Sequence, residues 1–368
     1  MPVSTEKPRE SQARRLKVPG YMGHPIPERV TGAYRPSMIL AGDAGGTNTR
    51  LALCRVHGLR VELLDFERYP SANYENLAHI VREFAGTRRL SVEKGCFGVA
   101  GPVADGRSRI SNLEWEVVAE ELAEVLGLPE VHLVNDVEAQ AWGVASLVPR
   151  DFVVMNSGDP DAAGNQALIA AGTGLGEAGL HLEANGYRPF ASEGGHEDFA
   201  PRNETETALL LYLLQEYSHV SYERVLSGPG LHNVYRFLRD TGREEEPRWL
   251  SEEMRGADPP PIISRLALER GGPAIAARAL DLFTSIYGAE ASNLGLKLLA
   301  TGGIFVGGGI APRILPKLQD GLFMKSFVQK GRMSELVAKM PVKVIVNEFC
   351  ALYGAARLTV EPLERGGV

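Results

Sequence analysis

A short apolar run, Met38-Ile39-Leu40-Ala41, enters Asp43-Ala44-Gly45-Gly46-Thr47-Asn48 and leaves through Leu51-Ala52-Leu53-Cys54-Arg55-Val56. Apolar run, glycine turn and apolar run predict two strands joined by a hairpin. His57-Gly58 turns the chain into Val61-Glu62-Leu63-Leu64, the third strand of a meander. A helix is predicted over 74–86 and a strand over 95–100, ending at Gly101-Pro102. Val118, Leu122, Val125 and Leu126 share one helical face, which predicts a helix over 113–126 with Asn112 as its N-cap and Gly127 with Pro129 as its stop. A strand over 131–134 carries Asn135-Asp136 at its C-terminal end, and a helix follows over 138–145.

A second unit resembles the first. Residues 167–171 read as an apolar strand, Gly172-Thr173-Gly174-Leu175-Gly176 as a glycine turn, and 179–184 as an alternating strand closed by Asn185-Gly186. The strand–turn–strand element therefore occurs twice, the mark of an internal duplication. Helices are predicted over 205–217, 228–239 and 273–299, strands over 302–306 and 342–346, and a final helix over 348–359. Residues 241–260, with Glu244-Glu245-Glu246-Pro247 and Pro259-Pro260-Pro261, read as an exposed excursion. Residues 1–36 lack periodicity and read as a loose extension without the apolar core of a signal peptide. Strands alternating with helices indicate α/β layers with a mostly parallel part.

A length of 368 residues implies two domains, because single cores stop growing at ~250–300 residues. No stretch reaches the ~18–20 apolar residues of a membrane helix. The net charge of −7 argues against nucleic-acid binding by bulk charge, so an anionic substrate would have to be held by local donors. Cys54, Cys96 and Cys350 are scattered and odd in number, with no C-x-x-C, which points to a reducing compartment and to no zinc knuckle or redox pair.

The absence of G-x-x-x-x-G-K-[ST] excludes a P-loop. Gly174-Leu175-Gly176-Glu177-Ala178-Gly179 matches G-x-G-x-x-G, but it continues into a strand and an Asn-Gly turn, so it is not a dinucleotide fingerprint. What remains is a pair of Gly-Thr turns. In Gly45, Gly46, Thr47 and Asn48, and again in Gly172, Thr173 and Gly174, backbone N–H groups and short polar side chains can cradle phosphate; each turn alone also reads as an ordinary hairpin. Asp43 supplies the hard oxygen that Mg²⁺ prefers, through water, or stabilises its own turn. Asp136, beyond a strand's C-terminal end, is placed either to accept a hydroxyl proton or to cap the following helix, whose dipole would lower its pKa. Glu193 and His196 flank two glycines in Ser192-Glu193-Gly194-Gly195-His196-Glu197-Asp198-Phe199, a spacing that suits chelation of adjacent sugar hydroxyls or a solvated loop.

Together these segments resemble the bacterial glucokinase family of the actin-like, hexokinase-like ATPase superfamily, over about residues 38–358. The resemblance is carried by Gly42-Asp43-Ala44-Gly45-Gly46-Thr47-Asn48, Gly98-Val99-Ala100-Gly101-Pro102-Val103, Asn135-Asp136, Ala171-Gly172-Thr173-Gly174-Leu175-Gly176, Glu193-Gly194-Gly195-His196-Glu197-Asp198-Phe199-Ala200-Pro201, Leu226-Ser227-Gly228-Pro229-Gly230-Leu231 and Gly307-Gly308-Gly309-Ile310. Any one of these is weak, and seven in order are specific. The resemblance implies a two-domain actin-like (ribonuclease H-like) fold, each domain a mixed sheet flanked by helices. It divides the chain into the extension 1–36, a small domain of 37–147 plus 349–368, and a large domain of 148–348. It implies Mg²⁺-dependent transfer of the γ-phosphoryl group of ATP to the 6-hydroxyl of glucose in glycolysis. It implies Asp136 as base, Asn112, Asn135, Glu193, His196 and Glu223 as sugar ligands, the two glycine turns as phosphate loops, and Gly307, Gly308, Gly309 and Ile310 as the adenosine loop. A cytoplasmic homodimer, without nucleic-acid or membrane partners, is also implied. The extension and residues 241–260 depart from the family's pattern. The rival readings are a related hexose kinase of other specificity, a non-catalytic sugar sensor on the same fold, and an actin-like ATPase without a sugar. ATP and polyphosphate present the same phosphate geometry to the turns.

Overall fold

A computed structural model describes residues 38–88, 91–110 and 113–360. Strands β1 (Met38–Ala44), β2 (Asn48–His57) and β3 (Arg60–Pro70) form the antiparallel meander, and α1 (Leu77–Arg88) crosses to β4 (Lys94–Val99), which runs parallel to β1. A small antiparallel sheet follows, of β5 (Val103–Ala104), β6 (Arg107–Ile110) and β7 (Trp115–Val118). Then α2 (Ala119–Leu126) leads to β8 (His132–Asn135), parallel to β4, and directly into α3 (Asp136–Gly143). The first large sheet has the order β3-β2-β1-β4-β8.

After β9 (Phe152–Asn156), the plan repeats. Strands β10 (Gln166–Ala171), β11 (Leu175–Glu183) and β12 (Gly186–Ser192) form a second antiparallel meander. Five helices come next: α4 (Glu204–Leu213), α5 (Gly228–Asp240), α6 (Arg248–Met254), α7 (Pro259–Leu268) and α8 (Ala274–Leu298). They precede β13 (Gly303–Gly307), parallel to β10. Short helices α9 (Leu315–Leu318), α10 (Leu322–Val328) and α11 (Ser334–Ala338) lead to β14 (Val342–Ile345), and α12 (Cys350–Leu358) closes the described chain. The second sheet has the order β12-β11-β10-β13-β14-β9. Apart from β9 at its edge, this is the topology of the first sheet, so the duplication visible in the two turns extends to whole sheets.

Period-2 alternation makes each sheet two-faced. Leu40 and Ala44 of β1 pack with Leu77, Ile80, Val81 and Phe84 of α1, while Ile39 and Ala41 pack with Leu352, Ala355 and Ala356 of α12. The last helix therefore returns to the first sheet. One face of the second sheet, with Ala167, Ile169 and Ala171, carries the larger core under α5 and α8. Its other face, with Leu168, Ala178, Leu180 and Phe305, meets Ala141 and Val144 at the end of α3. Helix α3 is thus wedged between the two sheets, and it carries Asp136 as its first residue.

Several expected elements differ. The helix expected over 113–126 begins only at Ala119, because Trp115 and Val117 are buried and Glu116 is exposed, an alternation that pairs with β6. Val118 stands where Asn112 was expected as N-cap, and Asn112 lies outside the described residues, as does the extension 1–36. Residues 241–260 are largely exposed, as expected, but they contain α6 and the start of α7. Pro259 and Pro260 open α7, where a missing N–H is harmless, and Leu250 of α6 and Ile263 of α7 are fully buried. Helix α4 stops at Leu213, short of 217. The small sheet, β9 and α9–α11 had no periodic signal long enough to foresee.

Candidate active site

The site is built around the N-terminus of α3. Asn135, not Asp136, caps that helix: its Oδ1 accepts from the N–H of Val137 (3.0 Å) and of Glu138 (3.2 Å), and its Nδ2 donates to the Gly101 carbonyl (3.2 Å). The capping role foreseen for Asp136 therefore falls to its neighbour, and the Asp136 carboxylate is left for other chemistry. Its Oδ1 accepts from the adjacent Val137 N–H, at 2.9 Å. Close approach of α3 depends on missing side chains. A Cβ on Gly98 would lie 3.1 Å from Ala139 Cβ, and one on Gly176 would lie 2.0 Å from Val137 Cγ2. The first glycine belongs to β4 and the second to β11, so each sheet yields room to the same helix.

The charge state of Asp136 differs from the expectation that the helix dipole would lower its pKa. Burial pushes the carboxyl up to about 7, assisted by repulsion from Asp43 and Glu193, and the Val137 N–H offsets only part of this. Asp43, from the first turn, and Glu193, from the loop after β12, both act on it, so these three carboxyls converge from separate parts of the chain.

The first turn keeps Asp43 on β1, buried and ion-paired with Arg50 across the hairpin. Gly45 N–H closes the turn on the Asn48 carbonyl (3.1 Å), and the Ser71 hydroxyl holds the Gly45 carbonyl (2.8 Å). Thr47 and Asn48 stand exposed at its tip. In the second turn, Gly172 N–H donates to the Gly174 carbonyl (2.8 Å) and Thr173 is exposed. Two segments gather on this turn. Gly228, at the Ser227-capped start of α5, donates to the Gly172 carbonyl (2.9 Å), and Ile310 donates to the Ala171 carbonyl (3.1 Å). Gly308 has a φ of +79° and no room for a Cβ against Ala171, which explains the glycine at that position. Gly307, Gly308, Gly309 and Ile310 are thereby brought beside Gly172, Thr173 and Gly174.

Glu193 and His196 lie 3.9 Å apart, each about 60% exposed, at the two ends of a single 3₁₀ turn. Both are free to meet a ligand from solvent. One carboxylate oxygen of Glu223 accepts from the Leu175 N–H (3.1 Å), beside the second turn, which leaves the other oxygen for a hydroxyl. Among the described residues no cluster of three or more His, Cys, Asp or Glu side chains could hold a metal by itself.

Reading by sequence passed over Glu177 and Glu290. Both are buried carboxylates, and they lie behind the Glu193–His196 loop, with their pKa values raised chiefly by burial. The available signal was an acidic residue within the otherwise apolar strand Leu175-Gly176-Glu177-Ala178-Gly179-Leu180.

Comparison with known proteins agrees on one family. A family model described as Glucokinase matches residues 40–361. The glucokinase of Synechocystis sp. is 41% identical over 342 residues, covering 86% of this chain and 96% of the relative. That of Nostoc punctiforme is 40% identical over 335 residues, covering 87% and 98%. Among solved structures, a glucokinase from an Antarctic psychrotroph superposes with a TM-score of 0.73 at 30% identity, covering 88% of this chain and 98% of that one. A glucokinase from Balamuthia mandrillaris, solved in complex with glucose, shares the fold at a TM-score of 0.75 and 22% identity, covering 89% and 95%.

Proposed function

The chain belongs to the glucokinase family, and from that premise we propose that it transfers the γ-phosphoryl group of ATP to the 6-hydroxyl of glucose with Asp136 as general base. The observation that carries this reading is the carboxyl of Asp136, brought to about 7 at the head of α3. A base is most effective when its pKa lies near the working pH, since it is then both ionised and basic enough to take a hydroxyl proton.

In this reading glucose lies between the head of α3 and the Glu193–His196 loop. Asn135 keeps one amide hydrogen for a hydroxyl after its bond to Gly101. Glu193, His196 and the free oxygen of Glu223 take the remaining hydroxyls, and Asn112 joins them. The turns that Gly45 and Gly172 close cradle the triphosphate, through the backbone N–H groups of Gly46 and Gly174 with Thr47, Asn48 and Thr173. Gly307, Gly308, Gly309 and Ile310 face the adenosine. A magnesium ion held by the phosphates and water needs only one protein carboxylate, and Asp43 beside the first turn fits that requirement. When bound, the ion supplies neutralisation of phosphate charge. Protein groups do the rest, by holding the 6-hydroxyl in line with the γ-phosphorus and accepting its proton.

The two sheets then serve as cores of a small domain, 37–147 plus 349–368, and a large domain, 148–348. The return of α12 to the first sheet supports that discontinuous division. A cytoplasmic homodimer completes the reading, supported by family membership and by three free, buried cysteines. The test is a coupled assay with glucose, mannose and N-acetylglucosamine as acceptors, and ATP and polyphosphate as donors. Glucose with ATP should give the highest kcat/KM. Preference for another sugar by tenfold or more would assign a different hexose kinase.

A further inference from the structure

Behind the Glu193–His196 loop lies a group of titratable side chains, two of them buried carboxyls, with no part in the reaction as described. Glu177, on β11, is 1% exposed, and its Oε1 has no hydrogen-bond partner among the described residues. Its backbone carbonyl accepts from Ser192 Oγ (3.1 Å), which in turn accepts from the Gly194 N–H (3.2 Å). Its side chain reaches the same residue, for a Cβ on Gly194 would lie 2.2 Å from Glu177 Oε2. The far end of the loop joins the same group. Lys297 of α8 pairs with Glu197, the residue after His196, and lies 3.5 Å from Glu290 Oε1. Glu290 is fully buried and also accepts from Asn293 (2.8 Å), whose amide donates to the Tyr222 hydroxyl (3.0 Å) next to Glu223. One cluster, with Glu177 and Glu290 buried at its centre, therefore touches both ends of the 192–197 loop.

We propose that Glu177 is a positioning residue for sugar binding, its carboxyl forming the floor on which Gly194 rests and thereby setting the placement of Glu193 and His196. This inference rests on the reading of that loop as the sugar-binding segment. The titratable groups facing Glu177 are Glu290, Lys297 and Tyr287 of α8 and Glu197 of the loop; Tyr222 and Lys330 lie one contact further. Lys297 is shared among three carboxyls there. Burial first, and Glu290 second, push Glu177 up to about 8, so it is a neutral acid at pH 7. Ionisation would place a negative charge beside Glu290 and against the loop, where Lys297 is already shared with Glu197 and Glu290. Wild-type glucose affinity should then fall as pH rises through 8, for a reason separate from Asp136, whose ionisation is complete by that point.

The experiment compares full-length wild type with Glu177→Ala, Glu177→Gln and Glu193→Ala, using calorimetric glucose and nucleotide affinities together with KM and kcat. Glu177→Ala is expected to weaken glucose binding about tenfold with nucleotide affinity within twofold, as for a lost support of a ligating shell. Glu177→Gln, neutral and isosteric, should match wild type within twofold at pH 7. It should also keep a flat glucose affinity from pH 7 to 9.5, where wild type declines. Unchanged glucose affinity in Glu177→Ala, a Glu177→Gln variant as weak as the alanine, or a wild-type profile as flat as that of Glu177→Gln would each overturn the proposal. If the alanine variant does not fold, the wild-type and glutamine profiles decide alone. Glu193→Ala separates the two levels. Should it bind glucose normally, the sugar-loop reading fails; should it bind weakly while Glu177→Ala binds normally, only the positioning role fails.

Discussion

Asn135-Asp136 on one side of the site and Glu193 with His196 on the other are held by different means. The first pair sits where a strand runs straight into a helix, and local bonds fix it: Asn135 caps α3, and Val137 N–H holds Asp136. The second pair sits on a 3₁₀ turn after an edge strand, and its support comes from residues distant in sequence, the buried Glu177 and Glu290 and the more exposed Lys297. A group that must move a proton is thus anchored by backbone geometry, which tolerates little drift. Groups that must recognise a sugar ride on a loop whose seat is electrostatic. The prediction is that the first side fails in kcat and the second in affinity.

The largest expected effect breaks the first side. Asp136→Asn keeps an oxygen for the Val137 N–H and leaves the Asn135 cap untouched. Glucose affinity should stay within severalfold while kcat falls by ~10²–10⁴, the usual share of a general base. Steady-state kinetics showing more than a tenth of wild-type kcat would remove Asp136 from the chemistry. Next comes the second side. Glu193→Ala should weaken glucose binding at least tenfold, consistent with the ~1–3 kcal/mol lost when a desolvated partner is left unpaired. Nucleotide affinity, followed by calorimetry in the same samples, should not move.

A third measurement tests whether the two sides communicate. Because Asp136 must be ionised to act, kcat/KM for glucose should be half-maximal near pH 7 and drop about tenfold for each unit below. Glu193 contributes to the raised value, after burial and Asp43. Glu193→Ala should therefore shift the midpoint of the profile to lower pH, even though its main defect is in binding. A midpoint unchanged by that substitution would mean that the two carboxyls do not face each other in the working enzyme.

The contrast between the sides also governs what was legible in the sequence. Glycine turns, the strand before Asn135 and the apolar run of α8 announce themselves through local composition, and so does the repeated strand–turn–strand unit. What did not show depends on contacts between distant residues. The swap of capping duty from Asp136 to Asn135 depends on one residue's difference in helix start. The raised pKa of Asp136 depends on Asp43 and Glu193 arriving from 93 positions upstream and 57 downstream. The strand Trp115–Val118 was masked by helix-compatible spacing in Val118, Leu122 and Val125, and only its pairing with Arg107–Ile110 decides the matter. The prolines at 259–261 read as a loop breaker, yet they stand in the one helical turn that accepts them.

The smallest effect concerns stability and has the opposite sign from the loss of activity. In the folded chain the Asp136 carboxyl titrates at about 7, against an ordinary value of ~3.9 in the unfolded chain. Between those values the folded state holds a proton that the unfolded state has released, so stability declines as pH rises from ~4 to 7 and the penalty is complete above that. Asparagine cannot ionise and escapes the penalty while preserving the bond from Val137. Ligand-free Asp136→Asn should therefore melt above wild type at pH 8, by ~2–4 °C for each kcal/mol relieved, and the gap should close as both are brought toward pH 4. Paired calorimetric scans at the two pH values check it. A variant that melts below wild type at pH 8 would mean that the ionised carboxylate is a net support for the head of α3, and that burial is not what holds Asp136 ready as a base.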